Sequence, residues 1–160
     1  PDQITDTLEK KEFDGTQILE INGTVFHTDL HSSLNKSSTQ EFLNDTNGKS
    51  RMLQKELKSA DFLFLTFGTT IAFEWHKTKK VVNNCHRLPS ADFSKVMLSE
   101  ERMTAKMAAA IEKIKSVNPH IEITLTVSPI RHLRHGAVQN QRSKARLVNC
   151  ILYTHNTADE

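Results

Sequence analysis

The sequence predicts an α/β domain: a parallel sheet between helices, in three layers. Two strand-like runs, Phe62–Phe67 (FLFLTF) and Ile121–Val127 (IEITLTV), each stop at turn-forming residues, Gly68 and Ser128-Pro129. Between them Met103, Met107, Ala110, Ile111 and Ile114 recur at helical spacing. A helix between two strands implies a right-handed crossover and parallel pairing. Open sheets of this kind present polar groups in the crevice beyond the carboxyl ends of their strands. The search for function therefore begins at those two strand ends.

In chain order, Ile4–Lys11 is a short polar helix candidate that Asp2 can cap. Gln17–His27 reads as extended, with Asn22-Gly23 between short apolar runs as a hairpin signal. His31-Ser32-Ser33 follows on a loop. Asn35–Ser50 is rich in Ser, Thr and Asn, and its apolar pair Phe42-Leu43 suggests a short surface helix. Arg51–Ala60 aligns Met52, Leu53 and Leu57 on one helical face. The run FLFLTF is apolar at both parities and fits a central strand buried on both faces. Ile71–Trp75 and Lys80–Val82 read as hairpin arms around the polar turn HKTK. Ser99, followed by Glu100 and Glu101, opens the best helix, and Asn118-Pro119 stops it. Arg131–Gln141 reads as a polar loop, and Ser143–Tyr153 as a final helix. No internal repeat is present, and the whole chain is read as one domain, incomplete at its edges.

Length and charge bound the function. A chain of 160 residues is long enough for one buried core. The net charge is +2 without a run of like charges, so nothing asks for nucleic acid. No apolar stretch approaches the roughly 20 residues of a spanning helix, so no membrane span is expected. The two cysteines, Cys85 and Cys150, lack C-x-x-C spacing and form no disulfide framework. A reducing, cytoplasmic compartment is the simplest inference. The chain begins at Pro1 and ends just after an apolar helix, and both ends read as cut. The sequence leaves the oligomeric state open.

Three clusters carry candidate chemistry. Gly68-Thr69-Thr70 follows a strand and suits an oxyanion or acyl-binding turn, with a backbone N–H and a hydroxyl facing developing negative charge. Strands also end in such turns for steric reasons alone. Asn84-Cys85-His86 sets an amide, a thiol and an imidazole side by side. Asn84 is a candidate amide donor and His86 a candidate acid, base or orienter. Cys85 is a candidate thiol nucleophile, but neighbours on an extended chain point apart, which favours a structural cysteine. Arg131 and His132 stand at the end of the second strand, as an anion-binding pair or as solvated loop residues. A metal site from His86, His132 and His135 has no carboxylate close by in sequence and is set aside; no cofactor is expected. Lys144 and Arg146 sit near the predicted start of the last helix, where cations oppose its dipole, which hints at an anion to answer.

Several words of this sequence occur together in one known family. LTFGTTIAFEW, VVNNCHRLP, the step from Phe93 to Leu98-Ser99, Val117-Asn118-Pro119, TVSPIRHL and the Gln139-Asn140-Gln141 to Ser143-Lys144-Ala145 segment resemble the GSCFA-domain family, within the SGNH-hydrolase-like superfamily. The Asp29, His31, Ser32 piece resembles it more loosely. The resemblance spans about Ile4 to Leu147. It implies a flavodoxin-like α/β/α fold and a serine-dependent ester hydrolase or acyltransferase, acting on a small-molecule or glycan ester. Gly68, Thr69, Asn84 and His86 are then the catalytic candidates, and Arg131, His132 and His31 the substrate-lining ones. The Gly-Ser-Cys-Phe-Ala nucleophile motif and an Asp-x-x-His-Pro block are absent from this sequence. The resemblance places them before Pro1 and beyond Glu160, so this stretch is expected to be inactive by itself. His135 stands where the family pattern leads one to expect an aspartate. A carbohydrate- or protein-binding module of the same fold is the alternative.

Overall fold

The computed structural model describes residues 12–14, 18–131 and 136–156. In chain order they form β1 (Leu19–Ile21), β2 (Thr24–Phe26), α1 (Thr39–Ser59), β3 (Phe62–Phe67), β4 (Ile71–Trp75) and β5 (Lys80–Val82). Then come β6 (Phe93–Met97), α2 (Glu100–Val117), β7 (Glu122–Val127) and α3 (Ala137–Asn156). The fold is mixed α/β and contains a parallel strand pair. The described residues divide into two compact units: one takes 57–71 and everything from 97 onward, the other takes residues up to 56 together with 72–96. The candidate helix Ile4–Lys11 lies outside the described residues.

In the first, the parallel unit, β3 and β7 run side by side from Phe62↔Glu122 to Phe67↔Val127. The crossover between them is α2. Its Ser99 cap accepts the Arg102 N–H at 3.3 Å, and the acids Glu100 and Glu101 follow in the first turn. Met103 and Met107 of α2 pack with Leu147 and Cys150 of α3, and Phe67, Leu125 and Val127 lie against this cluster. Each such buried side chain contributes about 1.5–3 kcal/mol. The sheet residues in that core share one parity. The other parity carries Phe62 and Phe64, which are 61% and 67% exposed. This corrects the expectation of a strand buried on both faces. An apolar run without alternation does not say which face is covered, and among the described residues only one is.

In the second, the hairpin unit, β1 and β2 pair antiparallel across Asn22 (φ 49°) and Gly23 (φ 70°). Two left-handed residues in a two-residue turn match the twist of the strands, which is why Asn-Gly signals it. The strands β4 and β5 form the second hairpin, with Trp75 opposite Lys80, and β6 lies on the other side of β4. Trp75 stacks on Phe93 at 6.2 Å. The β6 strand had no clean alternation and escaped the sequence reading.

The helix α1 is one 21-residue element rather than two, and Phe42 is fully buried rather than on a surface helix. Thr46 and Asn44 interrupt its apolar pattern without breaking it. The Thr46 hydroxyl donates back to the Phe42 carbonyl at 2.7 Å, and Gln40 bonds Asn44 one turn on at 3.0 Å. The last helix also starts earlier than expected, at Ala137 after Gly136 (φ 89°). Its first turns were illegible because they bury little apolar surface, Val138 being 64% exposed.

Candidate active site at the ends of the parallel strands

Beyond Phe67 the two strands separate, and α3 supplies the side chains that fill the gap. Ser128 N–H still donates to the Phe67 carbonyl at 2.9 Å, the last rung of the ladder. The Ser143 hydroxyl, 1% exposed, then meets the Gly68-Thr69-Thr70 turn. It accepts the Thr70 N–H at 2.7 Å and the Thr70 hydroxyl at 3.2 Å, and shares a 2.9 Å bond with the Thr69 hydroxyl. Thr69 Oγ1 also accepts the Ile71 N–H at 3.0 Å. One hydroxyl donates once and accepts twice, so Ser143 donates to Thr69 while accepting both Thr70 groups, and its full hydrogen-bonding capacity is used. The Thr70 N–H and the Thr69 hydroxyl are thus held inside the protein. Among the described residues, the Gly68 and Thr69 N–H groups have no such partner.

Lys144, next on α3, places Nζ 2.6 Å from the Gly68 carbonyl and 2.5 Å from the Ser128 carbonyl. Arg146 donates to the Leu98 carbonyl at 2.9 Å. These contacts correct the idea that the two cations await an anion against their helix dipole. The helix begins at Ala137, so both stand beyond its first turn, and backbone carbonyls at strand and loop ends answer them.

The hairpin unit carries its own polar cluster. The Thr28 carbonyl accepts the N–H groups of Asn83 and Asn84 at 3.1 and 2.8 Å. Asn84 Oδ1 accepts the His86 N–H at 2.8 Å, which supports His86 in its left-handed conformation (φ 49°). His86 Nε2 donates to the His27 carbonyl at 2.8 Å, and its ring packs on Phe26 with centroids 4.5 Å apart. Its Nδ1 is buried without a hydrogen-bond partner. The His27 ring is 4% exposed, and its Nδ1 accepts the Asp29 N–H at 3.1 Å, so it is the neutral imidazole that fits. Burial pushes the His27 pKa down from 6.5; the His86 charge adds to this and the Asp29 carboxylate opposes it.

That shift predicts an acid-sensitive unit. A folded-state pKa below the unfolded 6.5 means that the unfolded chain binds more protons, so this stability is complete above about pH 6.5 and is lost as pH falls toward the folded value. Urea titrations at about pH 7.5 and 5.5 measure the loss. His27→Asn keeps an acceptor for the Asp29 N–H and cannot titrate, so its loss should be smaller than that of the wild type. An equal loss in both proteins removes His27 as the cause.

The sequence candidates fall as follows. Gly68 and Thr69 are together at the strand ends, and Arg131 is exposed on the loop after β7. Asn84 and His86 are together in the hairpin unit, their contacts turned inward. His31 is exposed and bonds Ser33 at 2.9 Å, at the start of the short 3₁₀ turn Ser32–Leu34. His132 and His135 lie outside the described residues. Ser94 and His76 form a second serine–histidine contact at 2.7 Å, also exposed, and no acid backs either imidazole among the described residues. Sequence reasoning does not find Ser143 or His27 as site-forming residues, and it finds Lys144 only as a cation near a helix start; the Ser143 and Lys144 partners in the Gly68-Thr69-Thr70 turn are far away in the chain. For Ser143-Lys144 the one available signal was its place among the family-like words.

The fold and the strand-end cluster define an α/β protein with a hydrogen-bonded polar cluster at the carboxyl ends of a parallel strand pair. A scan against protein-family models matches the GSCFA family over residues 2–160, and the chain belongs to that family. Neither the curated proteins nor the solved structures compared with it yield a match.

Proposed function

We propose that this chain supplies the oxyanion-binding part of a serine-dependent ester hydrolase or acyltransferase acting on an O-acylated small molecule or glycan. The observation that carries this is the pair of N–H groups at Gly68 and Thr69, without an internal partner among the described residues, at the end of a parallel strand. Two donors fixed by the surrounding bonds stabilise a tetrahedral oxyanion with little reorganisation, which is how such sites accelerate acyl transfer. The Ser143 network holds the turn from behind. Arg131, on the loop after β7, is assigned to the substrate, and the family resemblance adds His132. The serine nucleophile and its histidine are assigned, by the family resemblance, to sequence flanking this stretch.

Asn84, His86 and His31 take a smaller part in this reading than their residue types suggest. Asn84 and His86 brace the loop that follows β5, and His31 caps a turn. This inward commitment favours the second reading, a non-catalytic binding module of the same fold.

The discriminating experiment uses the full-length protein that contains this chain. Turnover of a chromogenic acetyl ester is followed before and after a serine-directed phosphonate, with mass spectrometry of the label. A labelled serine and lost turnover are the expected result. A folded protein with neither turnover nor label sinks the hydrolase reading and leaves the binding module.

A further inference from the structure

We propose that Lys144 is the residue that opens the oxyanion turn: it ends the β3–β7 ladder and keeps the Thr69 N–H available to a ligand's anionic oxygen. The pattern of the ladder shows why a device is needed. The Phe67 carbonyl accepts the Ser128 N–H. In a parallel pair the next rung, two residues on, takes the Thr69 N–H to the Ser128 carbonyl. That carbonyl is occupied instead by Lys144 Nζ at 2.5 Å, and the same ammonium holds the Gly68 carbonyl at 2.6 Å. The rung does not form, and the Thr69 N–H has no partner among the described residues.

The Ser143 hydroxyl completes the arrangement from the adjacent position. It holds the Thr70 backbone and the Thr69 and Thr70 side chains, which steadies the turn and leaves the fate of the Thr69 N–H to Lys144. Lys144 therefore acts in two ways. It removes the competing acceptor, and by holding the Gly68 carbonyl it fixes the trans Gly68–Thr69 peptide with its N–H turned to the opposite side, away from the Ser128 carbonyl. Lys144 touches no reacting atom in this account and is a positioning residue. The consequence for catalysis rests on the hydrolase reading; the consequence for the ladder does not.

Amide hydrogen exchange on this chain tests the ladder directly, read by NMR at Thr69 against core amides such as Leu147. In the wild type the Thr69 amide should exchange without protection. Lys144→Met keeps the methylene packing and loses the ammonium, so the Ser128 carbonyl is released and the rung can close. Thr69 exchange should then slow by about tenfold or more, while Lys144→Arg keeps it fast. A Thr69 amide already protected in the wild type overturns the proposal, and this holds even if Lys144→Met fails to fold. Unchanged exchange in a folded Lys144→Met also overturns it.

In the full-length protein, Lys144→Met should lower kcat for an acetyl ester by about tenfold with KM little changed. If the wild type shows no turnover while the exchange pattern is as expected, the role of Lys144 stands and the hydrolase reading falls.

Discussion

Ser143→Ala is expected to lower the unfolding free energy by about 3 kcal/mol, with an unchanged denaturant slope. Two features set this size. Thr70 is fully buried, and both its N–H and its hydroxyl end on Ser143 Oγ. Alanine leaves that N–H in the interior with no acceptor, and an unsatisfied buried donor costs about 1–3 kcal/mol. The Thr69 hydroxyl also loses its donor from Ser143, although it keeps the Ile71 N–H. Because these bonds share one oxygen, their loss is coupled. A cycle with Thr70→Val should show the two changes to be less costly together than their sum, since valine removes one of the groups stranded by alanine. A loss below about 1 kcal/mol, or additive effects, would mean that water reaches the turn and replaces the serine. The turn would then lack the rigidity that an oxyanion site requires.

The sequence revealed what is local. Asn22-Gly23 announced its hairpin because both residues accept positive φ. The β3 and β7 runs announced themselves by composition, and α2 by its period and its capping serine. What it hid is long-range. The face of β3 that lies open depends on which helices reach it, and FLFLTF offers no alternation from which to read that. The contacts of Ser143 and Lys144 with the Gly68-Thr69-Thr70 turn join residues 73 to 76 positions apart. At the sequence level Lys144 is only a cation near a helix start, and nothing local shows that the Gly68 and Ser128 carbonyls, at the ends of two strands, are its acceptors. At Asn84 and His86, too, the contacts are beyond the reach of residue type: Asn84 Oδ1 and His86 Nε2 bond backbone groups of the loop and of His27. Residue type identified groups able to do chemistry; the hydrogen-bond geometry shows which of them the fold has already used.

Asn118→Asp is expected to be more destabilising than Asn118→Ala, at about 3 against about 2 kcal/mol, measured by urea unfolding at neutral pH. Asn118 is 8% exposed and ends α2, its own N–H bonding the Ile114 carbonyl at 2.9 Å. Its side chain works in two directions. Oδ1 accepts the His120 N–H at 3.2 Å, and Nδ2 donates to the Leu57 and Ala60 carbonyls, both at 2.9 Å. Those two carbonyls belong to the end of α1, where a helix leaves acceptors without internal donors. Alanine leaves them unpaired. Aspartate keeps the acceptor for His120 but sets a carboxylate oxygen against two carbonyl oxygens, adding repulsion to the loss. If the role of Asn118 were only the turn at His120, aspartate would be tolerated and alanine would be the worse change. The order of the two variants therefore decides between a turn residue and a clamp on the end of α1. A clamp matters to the candidate site because Ala60 lies just before β3, and that strand runs only six residues before Gly68. A change in where the strand starts is carried straight along its backbone to the N–H groups at its end.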